Sequence, residues 1–593
     1  MSAPTGLAPY ESDIVSVTKN SKKLQILNIK NNKVKSEILL PQGANGLAIK
    51  GDIAYVLCGE AQGDLVVIDL KNHRILHKIP VGHYPLAPLI VGNQLYIANR
   101  FANTIKVINL EHFNIEHTYR VGREPFAMTA TKDGKELWIA HLLPDMKANG
   151  DMIAASISKI DLPTGCIKNY PLTNGTQTIR DIQLSPDENH LVVSHLLSRY
   201  EVPTSQVDRG WINTNAITII PRATPESQYP IILDDAEMGA ANPWGIRFSQ
   251  DGKNLLILHA GTQEISIIPW DQLGEKIQKK LSDKETTDEL GFISSIRQRI
   301  ELPLNGPRSL FVDEKGHVYV SGYYSGNVVS FNINQPITSQ DFQIIALEPD
   351  EKLDIGFEGE RYFNDASQCF QKWQSCISCH PDARVDALNW DMLNDGLGNP
   401  KNTRSMFLSH QLPPVMTLGV RKDAETAVRA GFRHIQFMVP DPDICNKVDY
   451  YLSHLQAMPS PKLNQAQLEN LELDQASCNQ CHDPQLKRGI LSDNAKLGKK
   501  IFKKAGCAEC HPHPYFTNKK MVDVGTLMGL DTGKKIQVPT LMESWRTAPY
   551  FHDGRAATIR EVILEHNPND QRGNTSSLKQ NELEQLIEYV ESL

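Results

Sequence analysis

The most informative residues form a five-residue pattern, Cys-x-x-Cys-His, that occurs three times in the second half of the chain. The copies are Cys376-Ile377-Ser378-Cys379-His380, Cys478-Asn479-Gln480-Cys481-His482 and Cys507-Ala508-Glu509-Cys510-His511. Each pair of thiols is spaced to bond the two vinyl groups of one porphyrin, and the histidine that follows can ligate its iron. The sequence therefore predicts three covalent haem c groups, each with the motif histidine as proximal ligand.

Pairs of cysteines at this spacing also occur as disulfides, as redox-active dithiols and as halves of zinc sites. A histidine directly after the second cysteine in all three copies favours haem, because none of those alternatives requires it. Two of the remaining cysteines, Cys369 and Cys445, could form a disulfide in an oxidising compartment, although the sequence leaves the pairing open.

The residues before the first motif repeat a pair of short β-rich runs seven times. The first runs are Ile14–Val17, Ala54–Cys58, Leu95–Asn99, Leu137–His141, Leu191–His195, Leu255–His259 and Val318–Gly322. The second runs are Leu24–Ile29, Leu65–Leu70, Ile105–Leu110, Ile157–Leu162, Ile217–Pro221, Ile265–Pro269 and Val328–Asn332. The early units recur at about 41 residues and have room for four strands each, which predicts an all-β seven-bladed propeller over residues 1–347. The stretch resembles the YVTN-type propeller repeats.

Longer loops interrupt the repeat at about 143–156, 196–215 and 271–298. We expect them to gather on one face and to form the binding surface. His141, His195 and His259 end equivalent first runs and could converge near the central channel as metal ligands. Polar residues at equivalent strand ends more often make structural hydrogen bonds, and we favour that interpretation.

After Asp350 the β-rich runs give way to helical patterns. The strings around the third motif are Leu491-Ser492-Asp493-Asn494-Ala495-Lys496-Leu497-Gly498-Lys499-Lys500-Ile501-Phe502 and Arg546-Thr547-Ala548-Pro549-Tyr550-Phe551-His552-Asp553-Gly554-Arg555. Ser492 or Asp493 is expected to cap a helix that leads into Cys507. Residues 355–593 resemble the bacterial dihaem cytochrome c peroxidase and MauG superfamily in these strings. The resemblance implies two mainly α cytochrome c domains, residues 350–465 with the first haem and residues 466–593 with the second and third.

The resemblance also implies axial ligands. The family pairs two haem halves by duplication, which correspond here to the first and third motifs, with the Cys478 site as an insertion. The second ligand of one haem follows the His-Asp-Gly loop, and eight residues beyond Thr558 lies His566. His566 is therefore the predicted far-side ligand of the third haem, with a surface histidine at a helix end as the alternative. For the first haem His434 is the corresponding candidate, and for the second no far-side ligand is predicted.

The predicted reactive groups are Arg421 and Gln436. Peroxidases of this family carry a loop tryptophan and a distal glutamine or glutamate, because peroxide cleavage requires an open iron position and a group that moves a proton. This chain has Val415 to Arg421 where the tryptophan-containing loop is expected, and it lacks the tryptophan. Gln436 could supply the distal amide. The family also implies a calcium ion.

Net charge limits the choice of partner. The chain of 593 residues carries a formal net charge of −8 and no lysine- and arginine-rich run, which argues against nucleic acid. No stretch approaches 18 consecutive apolar residues, so no transmembrane helix is expected. Met1 to Pro9 lacks the features of a signal peptide, whereas the c-type family implies haem attachment outside the cytoplasm. We expect the mature form of an exported protein, in the periplasm or at the cell surface.

Two functions fit these residues. The resemblance implies an oxidoreductase in which one haem reacts with peroxide or oxidises a bound substrate, conceivably a protein docked on the propeller, while the other haems relay electrons. The alternative is an electron carrier without catalytic activity, in which all haems are six-coordinate and the propeller docks a redox partner protein. The altered loop from Val415 to Arg421 favours the alternative, and the presence of both haem halves favours the enzyme.

Overall fold

The computed structural model describes residues 2–201, 212–336, 341–348, 354–392, 398–463, 490–525 and 527–593. The described residues fall within two compact units. The first unit has the bounds Met1–Pro144, Ala154–Arg199 and Asp208–Ser378, and the second has the bounds Asp145–Ile153, Tyr200–Val207 and Cys379–Leu593. The division falls between Ser378 and Cys379, inside the first haem motif. The second motif, Cys478 to His482, lies outside the described residues, and so does its predicted haem site.

The first unit contains seven four-stranded antiparallel sheets, each with its strands in sequence order. The first three blades are β1–β4 (Pro4–Tyr10, Asp13–Thr18, Lys23–Asn28, Lys33–Leu39), β5–β8 (Ala44–Lys50, Ile53–Cys58, Gly63–Asp69, Arg74–Gly82) and β9–β12 (Pro85–Val91, Gln94–Asn99, Thr104–Asn109, Ile115–Arg120). The next two are β13–β16 (Pro125–Ala130, Glu136–His141, Ser156–Asp161, Cys166–Pro171) and β17–β20 (Thr176–Leu184, His190–Ser198, Asn213–Pro221, Tyr229–Ile232). The last two are β21–β24 (Pro243–Phe248, Asn254–His259, Glu264–Pro269, Gln298–Glu301) and β25–β28 (Pro307–Val312, His317–Gly322, Asn327–Asn332, Gln343–Ala346).

The seven-bladed propeller predicted from the sequence is therefore confirmed. The first apolar runs are the second strands of the blades, and the second runs are the third strands. These strands are apolar on both faces because each blade packs against two neighbours, as β6 shows with five of its six residues buried. The ring closes where β1 contacts β25, and Gln25 Nε2 donates to the carbonyl of Leu347 at 3.0 Å.

The expectation that the three long loops gather on one face is wrong. The loops at 143–156 and 196–215 connect the second and third strands of their blades. The loop at 271–298 connects β23 to β24, the third and fourth strands, and contains helix α1 (Trp270–Ser282). In an antiparallel blade these two kinds of connection leave from opposite ends of the strands. The sequence analysis located the loops but did not assign them to strand pairs.

After the last blade, the first unit continues with helix α2 (Ile355–Asn364), which Asp354 caps by accepting from Gly356 N–H at 3.2 Å. Three short 3-10 turns follow in this unit, and the third of them is Cys376–Ser378. We call residues Asn364–Ser378 the attachment loop, because this stretch carries Cys376. The loop belongs to the same compact unit as the propeller.

The second unit is mainly helical, as expected. Its helices are α3 (Ala424–His434), α4 (Pro442–Ser453), α5 (Asp493–Lys504), α6 (Cys507–Cys510), α7 (Ile559–Leu564) and α8 (Gln580–Glu591). Two short ladders accompany them, β29 (Asn389–Trp390) with β30 (Lys401–Asn402) and β31 (Met521–Val522) with β32 (Ile536–Gln537). Ser492 caps α5 by accepting from Ala495 N–H at 3.0 Å, which confirms the predicted cap. No helix among the described residues is long and apolar enough to cross a membrane.

Candidate haem sites

The third motif begins directly after α5 and Gly506. Cys507 and Cys510 are the first and last residues of the single turn α6, and residues three apart lie on one face of a helix. His511 follows, and its Nδ1 lies 2.9 Å from the carbonyl oxygen of Phe516. A carbonyl can only accept, so this contact favours a proton on Nδ1, which is the tautomer whose Nε2 can ligate a metal. Burial lowers the pKa of His511, which favours this neutral form.

The first motif has the same arrangement. Cys376–Ser378 forms a single 3-10 turn, and the Nδ1 of His380 lies 3.1 Å from the carbonyl oxygen of Arg384. Burial lowers the pKa of His380 to about 4. Each motif therefore has a tight turn that begins at its first cysteine, and its histidine is held by a contact between Nδ1 and a backbone carbonyl. These donors fit covalent haem c at both motifs.

The cysteines outside the motifs do not pair. Cys369 and Cys445, whose pairing the sequence left open, are both buried free thiols. Burial raises the pKa of Cys369 to about 11, which makes this thiol unreactive in the folded protein.

His566 lies just after α7, whose cap Thr558 accepts from Glu561 N–H at 3.1 Å. The Nε2 of His566 is buried and has no hydrogen-bond partner, although its ring packs edge-on against Phe551 at 5.4 Å. A buried polar atom without a partner costs about 1–3 kcal/mol. A metal bond to this nitrogen would remove that cost.

The loop after His566 returns to the third motif. Asn574 N–H donates to the carbonyl of Ala505 at 2.8 Å, and a Cβ on Gly573 would lie 3.1 Å from the Sγ of Cys507. His566 thus precedes by seven residues the glycine that lies beside Cys507 of the third motif. This contact agrees with the prediction that His566 serves the third haem.

A cation is the other conceivable ligand of His566. Among the residues that the structure describes, Glu561, Glu565 and His566 are the only group of three or more His, Cys, Asp or Glu side chains close enough to share a metal ion. Glu561 is already engaged, because it pairs with Lys147 at 3.2 Å and accepts from Ala557 N–H at 3.0 Å. Its charge is therefore largely neutralised, which favours haem over a free cation.

The His-Asp-Gly loop, residues Tyr550–Ala556, has a structural counterpart 135 positions earlier. Tyr550 and Ala556 form an antiparallel bridge, and so do Val415 and Arg421. The second residue of each loop has positive φ, 76° at Phe551 and 72° at Met416. Both loops then lead into a capped helix. Asp423 caps α3 by accepting from Thr426 N–H at 2.8 Å, as Thr558 caps α7.

The two halves differ at the position of the far-side ligand. Eight residues beyond the cap lies His566 in one half and Gly431 in the other. A Cβ on Gly431 would meet no atom within 4 Å outside its own helix backbone. His434 is exposed at the end of α3, one turn further along. The repeat therefore favours Gly431 over His434 as the counterpart of His566, and the role of His434 stays a prediction.

The two predicted reactive residues lie on either side of this position in the chain. Gln436 is buried, and its backbone N–H donates to the carbonyl of Gly431 at 3.0 Å. Arg421 is partly buried and occupies the position of Ala556 in the matching loop. Their catalytic roles remain predictions. The sequence analysis missed Gly431, which a comparison of the two helix caps would have found.

Three asparagines of the propeller bind the attachment loop. Asn242 Nδ2 donates to Ser375 Oγ at 2.9 Å, and Asn242 Oδ1 accepts from Ser378 Oγ at 3.0 Å. The other side-chain contacts are Asn213 to Gln374 and Asn215 to the Trp373 carbonyl, each at 3.0 Å, and Gln177 to the Ser378 carbonyl at 2.7 Å. These asparagines are almost fully buried. The propeller therefore positions the backbone on either side of Cys376.

The three propeller histidines are structural. His141, His195 and His259 are buried, and the Nε2 of each pairs with a hydroxyl on the next strand at 2.6–2.7 Å. Burial lowers the pKa of each, to about 4 for His141 and His195. They do not form a group that could hold a metal within the described residues. The preferred structural interpretation is confirmed.

Comparisons with known proteins agree with this arrangement. No protein-family model matches the chain. Hydrazine synthase subunit gamma of Kuenenia stuttgartiensis is 27% identical over 304 residues, which span 44% of this chain and 83% of that protein. Hydrazine synthase subunit beta of the same organism is 25% identical over 180 residues, 30% of this chain and 46% of that protein. The methylamine utilization protein MauG of Methylorubrum extorquens is 26% identical over 231 residues, 32% of this chain and 62% of that protein.

The chain combines a seven-bladed β-propeller with a MauG-like haem region. A solved structure of Kuenenia stuttgartiensis hydrazine synthase has a similar fold, with a TM-score of 0.51 at 22% identity, over 56% of this chain and 96% of that one. Two of these relatives are subunits of hydrazine synthase. The MauG-like region and the propeller were both predicted from the sequence, and both predictions are confirmed.

Proposed function

We propose that this chain is a tri-haem c-type oxidoreductase in which the haem at the first motif has a free coordination position and the haem at the third motif is closed by His566. A haem iron with a free position binds and reduces a small oxidant such as peroxide, whereas an iron with two axial imidazoles only exchanges electrons. The haem at the second motif, Cys478 to His482, completes an electron relay.

The observation that carries this proposal is the difference between Gly431 and His566, which lie eight residues beyond the helix cap in two segments with matching loops. A glycine cannot ligate, and the space beside its Cα is open. In the other half, a buried imidazole nitrogen has no hydrogen-bond partner among the described residues. One half is thus suited to an open iron and the other to a closed one.

The protein groups near the open position would donate hydrogen bonds and supply charge to a bound oxidant. The backbone of Gln436 is held next to Gly431, because the Gln436 N–H donates to the Gly431 carbonyl. The side-chain amide of Gln436 could then donate to an oxygen atom of a bound oxidant. Arg421 supplies a positive charge at the end of the matching loop. His380 keeps its proton on Nδ1, so the Arg384 carbonyl fixes the orientation of the proximal ring.

The substrate, the partner and the location belong to the same proposal. Peroxide is the first choice for the open site. The similarity to hydrazine synthase subunits makes small nitrogen compounds the second choice. Electrons would pass between the closed haem and a redox partner protein, in the periplasm or at the cell surface, where c-type haem is attached. A calcium ion stays an implication of the family resemblance alone.

An electron carrier without catalytic activity is the competing function, and it is favoured by the missing loop tryptophan in Val415 to Arg421. Optical and EPR spectra of the holo-protein distinguish the two functions. We expect a high-spin ferric signal, as isolated or after half-reduction, that peroxide consumes. Low-spin signals that peroxide leaves unchanged at every stage would refute the enzyme and leave the carrier.

A pair of variants tests the carrying observation directly. Gly431→His should replace the high-spin signal by a low-spin one, because it restores an imidazole at the position that corresponds to His566. Gly431→Ala is the matched control, since it changes the helix backbone in the same way without adding a ligand. Retention of the high-spin signal in Gly431→His would contradict the proposed correspondence.

A further inference from the structure

Arg572 presents a partly buried positive charge that no acidic group among the described residues neutralises. Its Nε and Nη1 atoms are buried and lack a hydrogen-bond partner. The guanidinium stays charged in proteins, and burying a charge without a counter-ion is costly. Burial, followed by the nearby Arg555, lowers the pKa of Arg572 to about 10. An anion is therefore the group that this side chain lacks.

The backbone around Arg572 is held in place by hydrogen bonds to Asn567 on both sides of the residue. Arg572 N–H donates to Asn567 Oδ1 at 3.0 Å, and Asn567 Nδ2 donates to the Gly573 carbonyl at 2.8 Å. The guanidinium lies over the ring of Phe551 at 4.5 Å from the centroid. The side chain is therefore fixed against an aromatic ring and is not a solvated surface arginine.

Phe551 connects Arg572 to two other groups. The guanidinium of Arg555 lies 5.4 Å from the same ring, and the ring of His566 packs edge-on against it, also at 5.4 Å. Arg555 has its own counter-ion, because its Nε donates to Asp553 at 2.8 Å. Two guanidinium groups therefore share one aromatic ring beside the predicted far-side ligand of the third haem, and one of them lacks an acid.

We propose that Arg572 binds a carboxylate, and that this carboxylate is a propionate of the haem at the third motif. The planar guanidinium matches a carboxylate in a bidentate geometry, and it is the preferred side chain for partly buried ion pairs. Haem brings two such carboxylates into the protein. The proposal rests on the assignment of His566 to the third haem. A small organic anion from solution is the other source of the same chemistry.

The test measures the reduction potential of the third haem in the holo-protein as a function of pH, by spectroelectrochemistry. In the wild type a propionate paired with Arg572 stays ionised, so the potential should be flat between about pH 5 and pH 8. In Arg572→Gln the potential should fall, because removing a positive charge favours the ferric state. We expect at least a tenfold change in the reduction equilibrium, which is about 59 mV for one electron. The potential should also become pH-dependent, because the unpaired propionate now titrates.

Two further variants keep the test decisive. Arg572→Lys retains the charge without the bidentate geometry and should give a smaller shift, which keeps the test open if the glutamine variant fails to fold. Arg560→Gln removes an exposed arginine that pairs with Glu584, and it should leave the potential unchanged.

The outcomes separate the possible sources. Acetate is the probe for a solution anion: a wild-type potential that shifts saturably with acetate would overturn the haem propionate as the source. An unchanged potential in both Arg572 variants, with the third haem still low-spin, would overturn the anion site itself. The His566 assignment is checked separately, because His566→Ala should convert the third haem to a high-spin form. A low-spin third haem in that variant would remove the basis of both proposals.

Discussion

Replacing Asn242 by glycine tests whether the propeller stabilises the loop that attaches the first haem. Asn242 has a left-handed backbone, with φ of 57°, which glycine adopts without strain. The substitution therefore removes the side chain and leaves the backbone conformation accessible. Three hydrogen bonds disappear, to Ser375 Oγ, to Ser378 Oγ and to the Asn364 carbonyl at 3.3 Å.

The expected magnitude follows from those three bonds. A hydrogen bond contributes about 0.5–1.5 kcal/mol net, and buried partners left unsatisfied cost more. Water can enter the space and recover part of the loss. We expect the free energy of local opening of the attachment loop to fall by about 3 kcal/mol. Since 1.4 kcal/mol is a factor of ten, opening should become roughly 100-fold more frequent.

Amide hydrogen exchange, read by mass spectrometry on peptides that cover residues 364–378, measures this opening directly. Exchange in those peptides should accelerate about 100-fold in Asn242→Gly, and the EPR lines of the first haem should broaden. Asn103→Gly is the matched control. Asn103 also has positive φ, 54°, and it makes a single side-chain contact, to Glu124 N–H, away from the attachment loop. Equal exchange in both variants would refute the argument that Asn242 anchors the loop.

Three other predictions follow from the buried groups. Burial lowers the pKa of His195 to about 4, from 6.5 in an unfolded chain, so the propeller should lose stability as the pH falls from about 6.5 towards 4; His195→Gln should flatten that part of a plot of thermal midpoint against pH. Glu543→Gln should lower the free energy of unfolding of the second unit by about 3–5 kcal/mol, measured by chemical denaturation, because it removes the carboxylate that pairs with the buried Arg384; a loss below 1 kcal/mol would contradict this. Cys369 and Cys445 should react with a thiol reagent only after denaturation, and resistance in denaturant would indicate a disulfide.

The propeller was predictable because its middle strands carry a strong signal. The second and third strands lie between neighbouring blades and are apolar on both faces, so their runs stand out in the sequence. The outer strands do not, as β12 shows with five of its six residues exposed. Their existence was inferred from the spacing alone. The face on which each long loop lies depends on which two strands of the blade it connects, and the sequence analysis did not assign the loops to strand pairs.

The attachment loop was not predictable from composition. The sequence changes character near Asp350, and the natural inference was a domain boundary there. The contacts that unite Asn364–Ser378 with the propeller are side-chain amides such as Asn213 and Asn215, which are far from the loop in sequence. Buried asparagines in loops give no periodic signal, so only the folded structure reveals their partners. The proposed domain bounds at 350–465 and 466–593 remain to be tested.

The contrast between Gly431 and His566 explains how one duplicated segment can serve two purposes. The bridge in each loop, the positive φ at its second residue and the cap of the following helix are shared, so the two segments begin in the same way. They differ further along, because Gly431 lies within α3 whereas His566 lies just beyond the end of the shorter α7. A histidine with a buried, unpartnered nitrogen suits a closed haem, whereas a glycine beside open space leaves room for a small ligand. Under the proposed function, the division between electron transfer and reactivity depends on the residue at this position, which is why introducing a histidine at Gly431 is the most direct test.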